Sequence, residues 1–490
     1  MRKTIAIVLC FFLGGTLLSA QDFESFKRKS QQAFQSYRQK TQEGFDAYRR
    51  KVNAEFAEFL RTPWEEKKGE DPVPEPRKEP DIPPVVFLDD DIEIPEDNLI
   101  DIEVVPIQIE DEPIPVAPII YKPKPKEETF SFVFYGTTGA VRLNPENKAH
   151  LKSSSEGDVA DFWEALSGEA FDNVLADCQK IRQDRDLGDW AYFKMTEKLA
   201  ETLYDTKNER RVFHGWLLAQ TGFGVKLGRA TDALHLLVWC SSLIFHRPYW
   251  DIKGAKYYLM DDEGITSLQM VDYSFPNCSP LRITMQATNL FDEKSAILRT
   301  LCSQGYPDLT VDVSCDKNTI DYLYDVPVSG IDGTNITDYA LYVKQPLSEN
   351  ARKPLYSSLT GSIAGKSEGE AANILLNFVQ TAFEYGYDDE IWGTERPFFP
   401  EETLYYPYSD CEDRAILFSR LVCDLLGLDV ALVLYPGHLA TAVCFSQTIP
   451  GDYIVVNGRR FLICDPTYIN APIGLTMPGM ENSTARVFLL

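Results

Sequence analysis

Three residues near the C-terminus have types and settings suited to nucleophilic chemistry: Cys411, His438 and Asp465. The run Ser409-Asp410-Cys411-Glu412 fits a capping box, with Ser409 as N-cap and Glu412 three residues on. Cys411 then falls in the first helical turn, where free backbone N–H groups and the positive helix end favour a thiolate. Cys411, Ala415, Phe418, Val422 and Leu425 recur at helical spacing, so the thiol ends the stripe that packs on a sheet. His438 follows the Pro436-Gly437 turn and opens a strand, and Asp465 ends a later strand before Pro466. In such a set the Cys411 thiolate attacks a carbonyl and His438 pairs with it, then protonates the leaving amine. Asp465 orients the imidazole. The Cys411 backbone N–H is one oxyanion donor; Gln380, Trp392 and Tyr406 are candidates for the second. Asp410, Glu412 and Asp413 oppose ionisation of the thiol, and the helix end and His438 must outweigh them.

The elements that must position these residues read as an α+β layout. A helix at about 369–385 is followed by an aromatic, Pro-rich loop and a second helix from about 410. Strands follow near 429–435, 439–446, 452–457 and 460–465, with Asn457-Gly458 as a hairpin turn. The Tyr408-to-Arg414 run, Gly437-His438 and Asp465-Pro466-Thr467-Tyr468 together resemble the transglutaminase-like branch of the papain-fold cysteine proteases. The resemblance covers about 335–490 well and 130–262 faintly. It implies a cysteine nucleophile acting on amides, as a protease, amidase or acyl transferase. Some relatives act on peptidoglycan peptides and some have lost activity. A Trp oxyanion donor well before the Cys is a family trait that Trp392 meets loosely.

The chain also resembles itself. Gly168-Glu169-Ala170 matches Gly369-Glu370-Ala371, Trp190 matches Trp392, and Glu201-Thr202-Leu203-Tyr204 matches Glu402-Thr403-Leu404-Tyr405. Glu209 precedes His235 by 26 residues, as Glu412 precedes His438 (235 − 209 and 438 − 412). Gly254 precedes Asp261 by seven, as Gly458 precedes Asp465. Two transglutaminase-like units are expected, at 127–262 and 335–490, around a small β-rich insert at 263–334. In the first unit Thr206 and Glu209 repeat the capping box, and His235 and Asp261 are kept. Asn208 stands where the nucleophile is expected, so this unit reads as a scaffold or cleft wall without covalent chemistry.

Residues 1–20 have a basic start, an apolar run from Ile5 to Leu18 and a Ser19-Ala20 cleavage context, as in a secretory signal peptide. The expected location is periplasmic or extracellular, with no transmembrane anchor. Export permits disulfides, and the nine remaining cysteines leave an odd thiol. Between 23 and 59 the aromatics Phe23, Phe26, Phe34, Tyr37, Phe45, Tyr48, Phe56 and Phe59 follow an 11-residue repeat, as in a straight amphipathic helix at 21–64. Its stripe suits self-association, docking to a partner or packing on the body, with a membrane-surface helix as a weaker fit. An acidic Pro-rich linker at 65–126 follows; 71–125 holds 13 prolines, 15 acidic and four basic residues. Its apolar patches, such as Val85 to Leu88 and Ile100 to Ile109, suit strand-like docking.

The net charge of −26 excludes a phosphate-neutralising nucleic-acid protein. No P-loop, dinucleotide fingerprint or HExxH motif occurs, and Asp89-Asp90-Asp91 lacks calcium-loop spacing, so no cofactor and no metal are expected. Peptide or amide hydrolysis on a peptide or protein substrate is the favoured activity. Acyl transfer to amines and a catalytically inactive binding or scaffold protein remain as alternatives.

Overall fold

The computed structural model describes residues 44–75, 84–86, 94–105, 119, 121–122, 124–261, 264–271, 273–285, 287–294, 298–331, 333–480 and 485–490. The expected leader, the aromatic repeat before 44 and Asp89-Asp90-Asp91 lie outside these residues. The chain forms two compact units, Met1–Glu55 and Phe56–Leu490. In the first, residues 44–55 are helical. In the second, residues 56–60 are helical and carry the last pair of the repeat. Phe56 is buried against Trp163, ring centroids 4.7 Å apart, and Phe59 stacks on Tyr273 at 3.8 Å. These two rings therefore pack on the body.

The large unit is α+β, with helices against antiparallel sheets. Its first sheet runs Glu65–Lys68, Ser267–Met270, Val225–Ala230, Ala233–Trp239, Ala255–Leu259, Tyr249–Ile252. The second runs Asn98–Leu99, Asp452–Val456, Arg459–Cys464, His438–Val443, Val430–Tyr435, Arg486–Leu489, Glu103–Val104. Leaving out the strands contributed by 65–104 and numbering the five others of each sheet along the chain, both sheets read 5-1-2-4-3. A long helix precedes strand 1 in each, Lys207–Gln220 and Cys411–Leu426, and packs on the central hairpin. The hairpin turn at Asn457-Gly458 forms as expected. Both residues have positive φ, 52° and 76°, which a two-residue turn matching strand twist requires.

Several sequence matches fall on different elements. Trp190 is inside the helix Asp189–Leu203, whereas Trp392 follows the short helix Asp388–Ile391. The expected β-rich insert is mixed. Ser267–Met270 joins the first sheet, Arg299–Cys302 and Thr310–Val313 form a hairpin, and Lys317–Asp325 is a helix. The stretch Leu281 to Met285 makes one bridge, Leu281 to Cys240, and no strand.

The segment expected as a linker is docked wherever it is described. Glu65–Lys68 pairs with Ser267–Met270, Val85 bridges to Ile469, and two short strands flank the second sheet. Asn98–Leu99 lies on one edge and Glu103–Val104 on the other. From Leu99 to Glu103 the chain can reach only about 14 Å. Across a flat sheet of seven strands the two outer ones would stand about 29 Å apart. The sheet therefore curls until its edges approach, and this segment bridges the gap. Ile100 enters the enclosed core with Ala431, Val433, Tyr435, Ala440 and Ala442. The outer face places Val430, Val443, Leu462 and Cys464 against Leu417, Phe418 and Leu421 of the Cys411 helix. None of the nine described cysteines is in a disulfide.

Candidate functional site

The helix Cys411–Leu426 starts one residue later than its sequence signature implies. Ser409 is held extended, because Tyr408–Ser409 pairs in parallel with Glu384–Tyr385. The chain turns only at Asp410, which becomes the N-cap. The reciprocal partner is then Asp413, not Glu412. Its Oδ2 accepts from the Asp410 N–H at 3.2 Å and its Oδ1 from the Phe398 N–H at 2.7 Å. Cys411 is the first helical residue, at the positive end of the helix dipole. Its Sγ donates to Glu412 Oε2 at 3.0 Å, and the residue is 1% exposed.

His438 is the first residue of its strand, paired across the turn with Tyr435. Thr441 pairs with Cys464, which places Asp465 opposite Ala440, diagonal to His438. The two side chains meet. His438 Nε2 lies 2.9 Å from Asp465 Oδ2, and both residues are buried. Asp465 Oδ1 accepts from the backbone N–H groups of Thr467 and Tyr468 at 2.9 and 3.3 Å. Nε2 is thus the ring nitrogen engaged by the carboxyl, and Nδ1 is the one turned away from it. Nδ1 is buried without a hydrogen-bond partner. His438 and Asp465 of the sequence-derived set are thus joined. The hydrogen bond seen for the sulfur goes to Glu412.

The C-terminus of the helix Glu368–Thr381 holds both halves of the site. Gln380 Nε2 donates to the carbonyls of Asp465, Tyr468 and Ala471 at 2.8–3.0 Å, which fixes the loop after Asp465. With its amide so engaged, Gln380 is not a free oxyanion donor. Arg414, 1% exposed, donates to Ser409 Oγ and to the carbonyls of Gln380 and Phe383. Burial draws its guanidinium down to about 10. Trp392, Phe398 and Tyr406 line a cleft of about 160 Å³ with Asp388, Ser409 and Asp413. Ser409 and Asp413 flank Cys411 in sequence, but Cys411, His438 and Asp465 do not line this cleft. Sequence reasoning missed Tyr385, whose hydroxyl is buried without a hydrogen-bond partner. Burial, then the negative groups at Cys411, Asp410 and Glu412, hold its phenol protonated. Its signal was faint: one tyrosine in an aromatic loop.

The residues that could hold a cation are acidic and buried. Oxygens of Asp388, Glu395, Asp410 and Glu412 lie within 4.8 Å of one another, and Cys411 Sγ forms a second such group with Asp410 and Glu412. Burial, then Asp388 and Glu412, hold the Asp413 carboxyl well above the usual carboxylate range.

The first sheet and the helix Lys207–Gln220 arrange similar residue types differently, and this part, residues 124–261, is the first lobe as residues 335–490 are the second. Thr206 caps its helix, its hydroxyl accepting from the Glu209 N–H at the third helical position, but the Glu209 carboxylate meets the Thr206 hydroxyl, His150 and the Leu151 N–H and does not close the expected box. Counted from the caps, Lys207 rather than Asn208 matches Cys411. Asn208 clamps the helix start to the hairpin: Nδ2 donates to Asp232 O and Oδ1 accepts from the Leu234 N–H, both at 2.9 Å. Asp261 lies directly opposite His235 in the ladder, given the Leu259–Leu237 pair. Asp261 Oδ2 meets His235 Nδ1 at 2.9 Å and Arg211 Nη2 at 2.8 Å. The imidazole is turned round relative to His438, with Nε2 as the buried nitrogen without a partner. No protein-family model matches this chain, and no curated protein matches it either. No helix among the described residues is long and apolar enough to cross a membrane.

Proposed function

We propose that the chain is an exported cysteine-nucleophile enzyme of transglutaminase-like, papain-fold type. It acts on amide bonds through an acyl-enzyme in the lobe at 335–490, and water resolves that intermediate. The observation that carries this reading is the buried His438–Asp465 pair, which leaves the Nδ1 lone pair as a base. In the reaction the Cys411 proton moves to Nδ1 and sulfur attacks the amide carbon. The imidazolium, stabilised by Asp465, then protonates the leaving nitrogen as the C–N bond breaks. Water, deprotonated by Nδ1, cleaves the thioester and returns the proton to sulfur. The Cys411 N–H is one oxyanion donor, and the Tyr385 hydroxyl is the second that this side of the site offers.

Quantitative iodoacetamide labelling near neutral pH, read by mass spectrometry of the peptide bearing Cys411, tests the reading. Stoichiometric labelling at Cys411, slowed about tenfold or more in His438→Ala, is expected. A Cys411 that stays unlabelled while Cys302 reacts, or a rate indifferent to His438, removes the enzymatic reading. The thiol's hydrogen bond to Glu412 and its burial favour a second reading, a binding protein that keeps the fold without turnover.

A further inference from the structure

The first lobe contains a cleft of about 420 Å³ between the helices Asp189–Leu203 and Lys207–Gln220. Lys207, Arg210, Arg211 and His214 line one side at the three- and four-residue spacing of a single helix face. Three cations within five residues are notable in a chain of net charge −26. The carboxylates of the cleft are matched by cations: Glu197 by Lys194 at 2.6 Å, Glu201 by Lys198 at 2.8 Å, Asp261 by Arg211 at 2.8 Å. Arg210 uses Nε on the Tyr204 carbonyl and makes no ion pair among the described residues. Phe193, Leu236 and Met260 supply apolar wall.

His214 supplies the independent clue. It is 5% exposed, and its Nε2 has no hydrogen-bond partner. Its hydrogen bond to the Phe193 backbone therefore belongs to Nδ1. Burial, then Lys194, bring the imidazole down to about 3 and keep it neutral, so Nε2 presents a bare lone pair. A buried acceptor without a donor is costly unless something supplies one. Asp261 Oδ1, on another residue lining the cleft, is also a buried polar atom without a hydrogen-bond partner.

We propose that this cleft binds a small organic carboxylate that also carries an N–H or O–H donor, with the carboxylate on Arg210 and the donor on His214 Nε2. The apolar wall takes a hydrocarbon side group. Amino-acid derivatives and hydroxy acids share this chemistry. The site is independent of Cys411 and of the activity assigned to the second lobe.

Calorimetric titration of the full chain with four matched probes tests the assignment. N-acetylleucine and 2-hydroxy-4-methylpentanoate carry both features, and the tighter of the two identifies the donor. 4-Methylpentanoate lacks the donor and N-acetylleucinamide lacks the charge; each should bind about tenfold more weakly or worse. Arg210→Gln should bring the carboxylates down to the level of the amide, while Cys411→Ala should leave every affinity unchanged. His214→Phe should abolish the advantage of the donor-bearing probes; if that variant fails to fold, the probe series and Arg210→Gln decide. Absence of saturable binding, equal affinity for all four probes, or indifference to Arg210→Gln would overturn the proposal.

Discussion

A carboxylate that accepts a proton from sulfur and an imidazole that offers a lone pair pull on the same chemistry in opposite directions. Glu412 Oε2, 3.0 Å from the Cys411 sulfur, holds the thiol as a donor. In the proposed reaction, His438 Nδ1 takes that proton. Replacing Glu412 with Gln removes a negative charge beside the sulfur and raises its thiolate fraction. Iodoacetamide should therefore alkylate Cys411 several-fold faster in E412Q at pH 7. An unchanged or slower rate would show that Glu412 does not restrain the thiol. Residue types were enough to nominate Cys411, His438 and Asp465, because few side chains perform this chemistry. They were not enough to assign the carboxylates. Asp413 turns away from the sulfur to accept two backbone N–H groups, whereas Glu412 turns towards it. That difference follows from the position of the helix start, which depends on a strand partner 24 residues upstream in the loop (409 − 385).

At the scale of elements, the Cys411 helix is anchored through buried groups that respond to pH. Asp413 keeps its proton well above the ordinary carboxylate range, because of burial and then Asp388 and Glu412. The folded chain thus retains a proton that the unfolded chain releases above about pH 4. The stability from this group is complete below that point and is lost as pH rises through the folded value. In urea titrations from pH 4 upward, Asp413→Asn should flatten part of the fall in stability. Parallel curves for variant and parent would remove Asp413 as its source. The strands from Val430 to Cys464 were legible within about one to three residues, because apolar runs, Pro436-Gly437 and Asn457-Gly458 punctuate them. The two-residue strands Glu384–Tyr385 and Tyr408–Ser409 were not legible. Elements that short have no period to detect, and their partners lie far along the chain.

At the scale of the molecule, the acidic Pro-rich segment changes role between sequence and structure. A spacer would leave the second lobe indifferent to its apolar residues. A segment that bridges the curled sheet would not, and Ile100 is 7% exposed within that core. Ile100→Ala should therefore destabilise the lobe by about 2 kcal/mol or more in chemical denaturation; an effect near zero would restore the spacer. The amino-acid sequence by itself determined the α+β class, the order of the long elements, and the residues with chemistry to offer. Those follow from local periodicity and turn chemistry, which each stretch of chain carries on its own. Tertiary structure alone decided which ring nitrogen of His438 faces Asp465, where the Cys411 helix begins, and that 98–104 bridges the sheet. It also decided that the helices Asp189–Leu203 and Lys207–Gln220 enclose a cleft around His214. Each of these depends on groups brought together across long stretches of chain, and no local pattern encodes which of them meet.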